Sequence, residues 1–140
     1  MSRAERKDPV YGPAWDKALA DLERIYDLTG EHGIRTVLVV FPYKFQIMDR
    51  KCRRPQAILA EHAKDSGIAV IDLLTVLEEA VATSPDAERE LGRYFLDENH
   101  LSPEGHSLVA AVLGEYVESV TPIVGAARQA AAPKRRHPPL

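Results

Sequence analysis

The hydrophobic positions of the chain predict an alternation of helices and strands. From Trp15 to Tyr26 the apolar side chains recur every three or four residues, which is the spacing of one helical face. Pro13 suits the first turn of this helix, and Gly33 suits its end. Residues 36–41 then form an unbroken run rich in β-branched side chains, as expected of a parallel strand that is covered on both faces.

The same pattern repeats further along the chain. A segment dense in Lys and Arg, residues 43–54, is predicted to be a loop. It is followed by a predicted helix at residues 55–65, a second apolar strand at 68–73 and a short helix at 74–82. Residues 83–91 are predicted to be either a polar loop or a continuing helical turn.

The last predicted helix begins at Ser102. The hydroxyl of Ser102 can cap the helix, Pro103 fits its first position, and Glu104 favours the positive end of the helix dipole. An apolar stripe runs along residues 108–120, and Pro122 ends the helix. We therefore divide the chain into a flexible segment (1–14), one folded domain (15–124) and a disordered basic and Pro-rich tail (125–140).

The order of elements predicts an α/β domain with a parallel sheet. However, two strands of such apolar composition have long open edges, which favour aggregation or pairing with another chain. The sequence therefore predicts either that this chain holds further strands that the pattern does not reveal, or that the sheet is incomplete here and is completed by strands of another chain or by a second copy.

The composition, net charge and cysteine content of the chain exclude several classes of protein. The chain has 140 residues, enough for one domain, and 45% of them are hydrophobic. Its net charge of −3 has the wrong sign for a nucleic-acid partner, and its single cysteine excludes an internal disulfide. There is no apolar run of about 20 residues and no apolar stretch near the first residues, so we expect no membrane span and a soluble, cytoplasmic protein.

The densest group of polar side chains is Asp97-Glu98-Asn99-His100. A carboxylate three residues before an imidazole, within a turn, can bond one ring nitrogen and fix the tautomer. The other nitrogen is then free to act as a general base. The alternative is that Asp97 and His100 are solvated loop residues beside a helix cap, and the spacing alone does not decide between the two.

Other chemistry is less well supported by the sequence. Asp97, His100, Glu104 and His106 are all possible metal ligands, but their spacing matches no known metal motif. The eight glycines are scattered singly, so no phosphate-binding loop and no cofactor is predicted. Cys52 is flanked by cations that would lower the pKa of its thiol, although an exposed thiol without a function is the simpler interpretation.

The segment YFLDENHLSPEGH, which follows a strand ending in Ile71-Asp72-Leu73, resembles the last sequence block of the SGNH (GDSL-type) hydrolases. The resemblance covers roughly residues 15–120 and implies a three-layer α/β/α, flavodoxin-like fold. It assigns His100 as the general base and Asp97 as the carboxylate that orients it. Further upstream it includes Phe41-Pro42, Gln46, Pro55-Gln56 and the Gly67-Ile68 turn.

The chain departs from this family at the nucleophile. The family's serine lies in a Gly-Asp-Ser block after the first strand, and an oxyanion donor comes from a Gly-x-Asn-Asp block; neither block occurs here. Asp65-Ser66-Gly67 lies between a helix and a strand, and we interpret it as a turn. Residues 105–109 (GHSLV) lack the closing glycine of a nucleophile elbow. We interpret Gly105 there as a point of close approach.

The resemblance implies hydrolysis of an ester, or acyl transfer, on an O-acyl substrate. The chain supplies the Asp97–His100 pair of such an enzyme and looks like its C-terminal portion only, so we expect the isolated chain to be inactive. The alternative function is a non-catalytic α/β remnant or interaction module that pairs through an open sheet edge.

Overall fold

The computed structural model describes residues 12–121, in which helices alternate with two short strands. The elements are α1 (Gly12–Glu31), β1 (Val37–Val40), α2 (Lys44–Met48), a 3-10 helix (Arg50–Cys52), α3 (Arg54–Asp65), β2 (Ala69–Asp72), α4 (Leu73–Val81), α5 (Ala87–Tyr94) and α6 (Pro103–Val120). The predicted α/β class is confirmed. The helix α1 begins three residues before the predicted domain start, whereas residues 1–11 and the predicted tail lie outside the described residues.

The two strands pair in parallel, as predicted, with α3 in the connection between them. The register pairs Val37 with Ala69 and Val40 with Asp72. Val40 is the one buried residue of β1, and its three neighbours in the strand are only partly covered. No third strand joins this sheet within residues 12–121. The part of the chain that the structure describes thus leaves the outer edge of each strand unpaired.

The prediction of a loop at residues 43–54 was wrong, since this segment contains α2 and the 3-10 helix. At the start of α2 the backbone N–H of Tyr43 donates to Oε1 of Gln46, at 2.8 Å. Asp49 then caps the 3-10 helix by accepting the N–H of Lys51, at 2.9 Å. Gln46 is buried and exchanges two hydrogen bonds with the buried side chain of Gln56. The bonds of Tyr43 and Asp49 stabilise the starts of the two short helices, and the Gln46–Gln56 pair joins α2 to α3.

The region at residues 83–91 is also more regular than predicted. It contains most of α5, a separate helix that neither a polar loop nor a continuation of α4 describes. The Asp86 carboxylate accepts the N–H of Arg89 at 3.0 Å and so caps this helix. Leu91 is fully buried and anchors it to the core.

The main hydrophobic core lies among α2, α4, α5, α6 and the segment that joins α5 to α6. It consists of nine buried side chains: Ile47, Leu73, Leu74, Leu77, Val81, Leu91, Phe95, Leu101 and Val109. The core thus lies directly beneath the segment that carries Asp97 and His100.

No helix within residues 12–121 is both long enough and apolar enough to cross a bilayer.

Candidate active site

Asp97 and His100 lie in a tight turn between α5 and α6. The turn is closed at its base by an antiparallel bridge between Phe95 and Leu101, two core residues. One step further out, the N–H of Leu96 donates to the carbonyl of His100 at 2.8 Å. The turn is therefore fixed to the core at both of its ends.

The Asp97 carboxylate accepts three hydrogen bonds within this turn. Oδ1 accepts the backbone N–H of Asn99 at 3.0 Å and that of His100 at 2.8 Å. Oδ2 lies 2.8 Å from Nδ1 of the His100 ring. The bond from Asn99, followed by those from the His100 ring and backbone, lowers the pKa of Asp97 from 3.8 to about 2. Asp97 is therefore an anion at neutral pH.

The contact between Asp97 and the His100 ring is the one that the spacing predicts. An ionised carboxylate only accepts hydrogen bonds, so the nitrogen that faces it, Nδ1, carries a proton. In the neutral ring the other nitrogen, Nε2, is then an acceptor, and it has no hydrogen-bond partner within residues 12–121. Because the side chain is 68% exposed, Nε2 is available to a proton donor from outside.

Ser102 connects the turn to α6. Its hydroxyl accepts the N–H of Gly105 at 3.1 Å and donates to the carbonyl of Arg93. Its backbone N–H donates to the carbonyl of Tyr94 at 2.9 Å. The predicted cap at Ser102 and the start of α6 at Pro103 are both confirmed.

Gly105 is a point of close approach, as predicted. A Cβ atom at this position would overlap the carbonyl oxygen of Tyr94 and lie 3.2 Å from Cβ of Leu101. The first turn of α6 therefore packs directly on the backbone at the end of α5. This packing fixes the position at which the His100 turn extends from the core.

The segment after β1 also reaches the site, which the sequence interpretation missed. The N–H of Lys44 donates to the carbonyl of Glu98 at 2.8 Å, so the start of α2 is bonded to the turn. A cavity of about 230 Å³ lies here, lined by Phe41, Pro42, Tyr43 and Asn99. The aromatic residues that follow β1 were the available signal, but the basic composition around them concealed it.

The serine hydroxyls within residues 12–121 donate to backbone carbonyls and not to His100. None of the five serines there, namely Ser66, Ser84, Ser102, Ser107 and Ser119, bonds to the imidazole. Ser66 ends α3 and donates to the carbonyl of His62, and Gly67 beside it has a φ of +69°, so this segment is the predicted turn. Ser107 donates to the carbonyl of Pro103 inside α6.

Residues 12–121 give little support to a metal site or to a reactive cysteine. No three metal-ligating side chains cluster within residues 12–121. The expectation that cations lower the pKa of Cys52 is wrong. Partial burial, followed by the adjacent Asp49 carboxylate, raises the pKa of this thiol.

Comparisons with protein-family models, with curated proteins and with solved structures gave no match to this chain.

Proposed function

We propose that the chain contributes the general-base pair of an SGNH (GDSL-type) hydrolase, which hydrolyses or transfers an acyl group from an O-acyl substrate. The observation that carries the proposal is the 2.8 Å contact between the ionised Asp97 carboxylate and Nδ1 of His100, with Nε2 left open. In this role His100 takes the proton of a serine hydroxyl and later gives it to the leaving alcohol. Asp97 orients the ring and stabilises its charged form.

The location of the turn supports the proposal. The cavity that includes Asn99 also includes Phe41 and Pro42, which directly follow β1. In open α/β sheets, ligands bind outside the carboxyl ends of the strands. We propose that the two strands belong to a three-layer α/β/α, flavodoxin-like sheet whose other strands carry the serine and the oxyanion donors.

The proposal makes a clear prediction for the isolated chain. Since no serine in residues 12–121 bonds to His100, the chain should not hydrolyse 4-nitrophenyl acetate faster than its His100→Ala variant. Turnover that depends on His100 would contradict this prediction and would mean that a serine of this chain is the nucleophile.

The base pair itself can be tested in a complete enzyme. Residues 94–106 would replace the corresponding block of an active GDSL-type esterase, and the same graft carrying His100→Ala would serve as the matched control. We expect the first graft to retain ester hydrolysis and the control to lose at least about a hundredfold, the usual contribution of a positioned general base. A folded graft no faster than its control would refute the proposed role.

A second candidate function, an interaction module, is favoured by one observation. A groove of about 700 Å³ lies between β1 and α6, and its apolar lining includes Val37, Val39, Leu113 and Val117. The groove lies against one face of β1, and the outer edge of the same strand is unpaired within residues 12–121 and could take an added strand. Light scattering during size-exclusion chromatography, with a hydrophobic dye, tests this candidate: a stable monomer that binds no dye would count against it.

A further inference from the structure

Two exposed aromatic rings border the cavity next to the Asp97–His100 turn. Phe41 is 56% exposed and Tyr43 is 51% exposed, although large apolar side chains are usually covered. Phe45 and Met48, on α2, are exposed as well. Neighbouring exposed apolar side chains of this kind mark binding surfaces.

The aromatic wall of this cavity is held in place by packed and hydrogen-bonded groups. The ring of Tyr43 stacks on that of Phe45, with centroids 5.4 Å apart and planes 13° from parallel. The backbone of Tyr43 is bonded to Gln46, whose side chain is 3% exposed and pairs with Gln56 at 3.0 and 3.1 Å. A ring supported in this way loses little further freedom when a ligand binds.

The cavity is also joined to the candidate base. The 2.8 Å bond from Lys44 N–H to the carbonyl of Glu98 joins its aromatic wall to the turn, and Asn99, which lines the cavity, directly precedes His100. An imidazole that protonates a leaving oxygen lies next to the alcohol part of an ester. On the proposed function, the alcohol portion of the ester would lie beside the turn, where this cavity is found.

We propose that this cavity binds an aryl alcohol, that is, a phenol or the phenolic portion of an aryl ester. Its volume of about 230 Å³ is below that of sites for drug-sized ligands and suits one ring. The rings of Phe41 and Tyr43 favour an aromatic ligand through offset or edge-to-face contacts, and the Asn99 amide can bond its hydroxyl. That the ligand is the leaving alcohol rests on the proposed function, whereas the binding of a phenol does not.

Phenol binding can be measured on the isolated chain, with cyclohexanol as a non-aromatic control of similar size. In ¹⁵N-labelled protein titrated with phenol, we expect saturable shifts of the amides of Phe41, Tyr43 and Asn99, with a dissociation constant in the millimolar range. Cyclohexanol should bind several-fold more weakly. Phe41→Ala should weaken phenol binding about 2- to 12-fold, the range expected for one aromatic pair.

The matched control is Leu28→Ala, which removes an exposed apolar side chain from α1, outside the cavity. It should leave phenol binding unchanged. If Phe41→Ala does not fold, the exposed Asn99→Ala variant serves instead and should also weaken binding. Equal binding of phenol and cyclohexanol, or equal effects of the cavity and control variants, would overturn the proposal. Shifts of the same amides that follow protein concentration without phenol would also overturn it, because a second copy would then cover the rings.

This result is separable from the test of the base pair. Phenol binding is measured on the isolated chain through the amides of residues that line the cavity, whereas the base pair is tested by ester hydrolysis in the graft. Phenol binding together with an inactive graft would refute the base pair alone. An active graft with no selective phenol binding would refute the aryl-alcohol site alone.

Discussion

The two sides of this molecule differ in how completely they are packed. On the side of the candidate site, Leu73 and Leu77 of α4 and Leu91 of α5 are at most 1% exposed. On the side of the sheet, β1 has one buried residue, and Leu28 of α1 is 58% exposed. The Asp97–His100 turn therefore lies on a well-packed hydrophobic core, whereas the residues of the two strands are mostly only partly buried.

Hydrogen bonding shows the same contrast. Asp97 and Ser102, on the side of the site, are both bonded to backbone groups. Where α1 meets α3, Tyr26 Oη and His62 Nε2 are buried with no hydrogen-bond partner in residues 12–121, and burial raises the pKa of Tyr26. Unpaired buried polar atoms are costly and uncommon in native proteins. The comparison indicates that the geometry of the turn depends on α4–α6 more than on the sheet.

Truncation of a core side chain on each side should reveal this difference. Leu77→Ala removes a side chain that is 1% exposed and should lower the free energy of unfolding by about 3 kcal/mol. Val37→Ala, in the partly covered β1, should cost about 1 kcal/mol or less. Urea unfolding measures both, and equal losses would mean that the sheet side is packed as well as the site side.

A glycine pair in α6 tests the packing beneath the turn. Gly105→Ala places a Cβ against the Tyr94 carbonyl, and we expect a loss of about 2 kcal/mol, typical of overpacking. Gly114→Ala, in the same helix, meets no atom within 4 Å and should stabilise the protein by about 0.5 to 1 kcal/mol. Two variants of equal stability in urea would contradict the close approach.

Local contacts explain which features could be predicted from the sequence. The Asp97–His100 contact and the Ser102 cap join residues three apart, so spacing and residue type were enough to predict them. The bond from Lys44 to Glu98 crosses more than fifty positions, and the cavity beside it was therefore missed. The helix at α5 was also missed, because its polar start concealed the buried Leu91.

The hydrogen bonds of Asp97 predict that the free energy of unfolding depends on pH through a group on the side of the candidate site. Its pKa falls from 3.8 to about 2 on folding, so the folded state binds fewer protons than the unfolded state. The resulting stabilisation is present above about pH 4 and is lost as the pH falls towards 2. The difference in unfolding free energy between the unsubstituted chain and Asp97→Asn should therefore shrink over that range.

A ¹³C titration of the Asp97 carboxyl carbon measures the pKa of this group in the folded protein directly, and its expected midpoint is about 2. The amides of α1 should not follow this titration, because within residues 12–121 Asp97 bonds only to groups of its own turn. A midpoint near 4 would mean that the turn does not hold the carboxylate.

The central claim is that Asp97 orients His100 as a base with Nε2 open, and the tautomer of the neutral ring tests it most directly. At pH 9, where imidazoles are neutral, two-bond ¹⁵N–¹H correlations distinguish a proton on Nδ1 from one on Nε2. We predict a proton on Nδ1 of His100 and a shift towards a mixture of both tautomers in Asp97→Asn. A proton on Nε2, or a mixture unaffected by the substitution, would contradict the account.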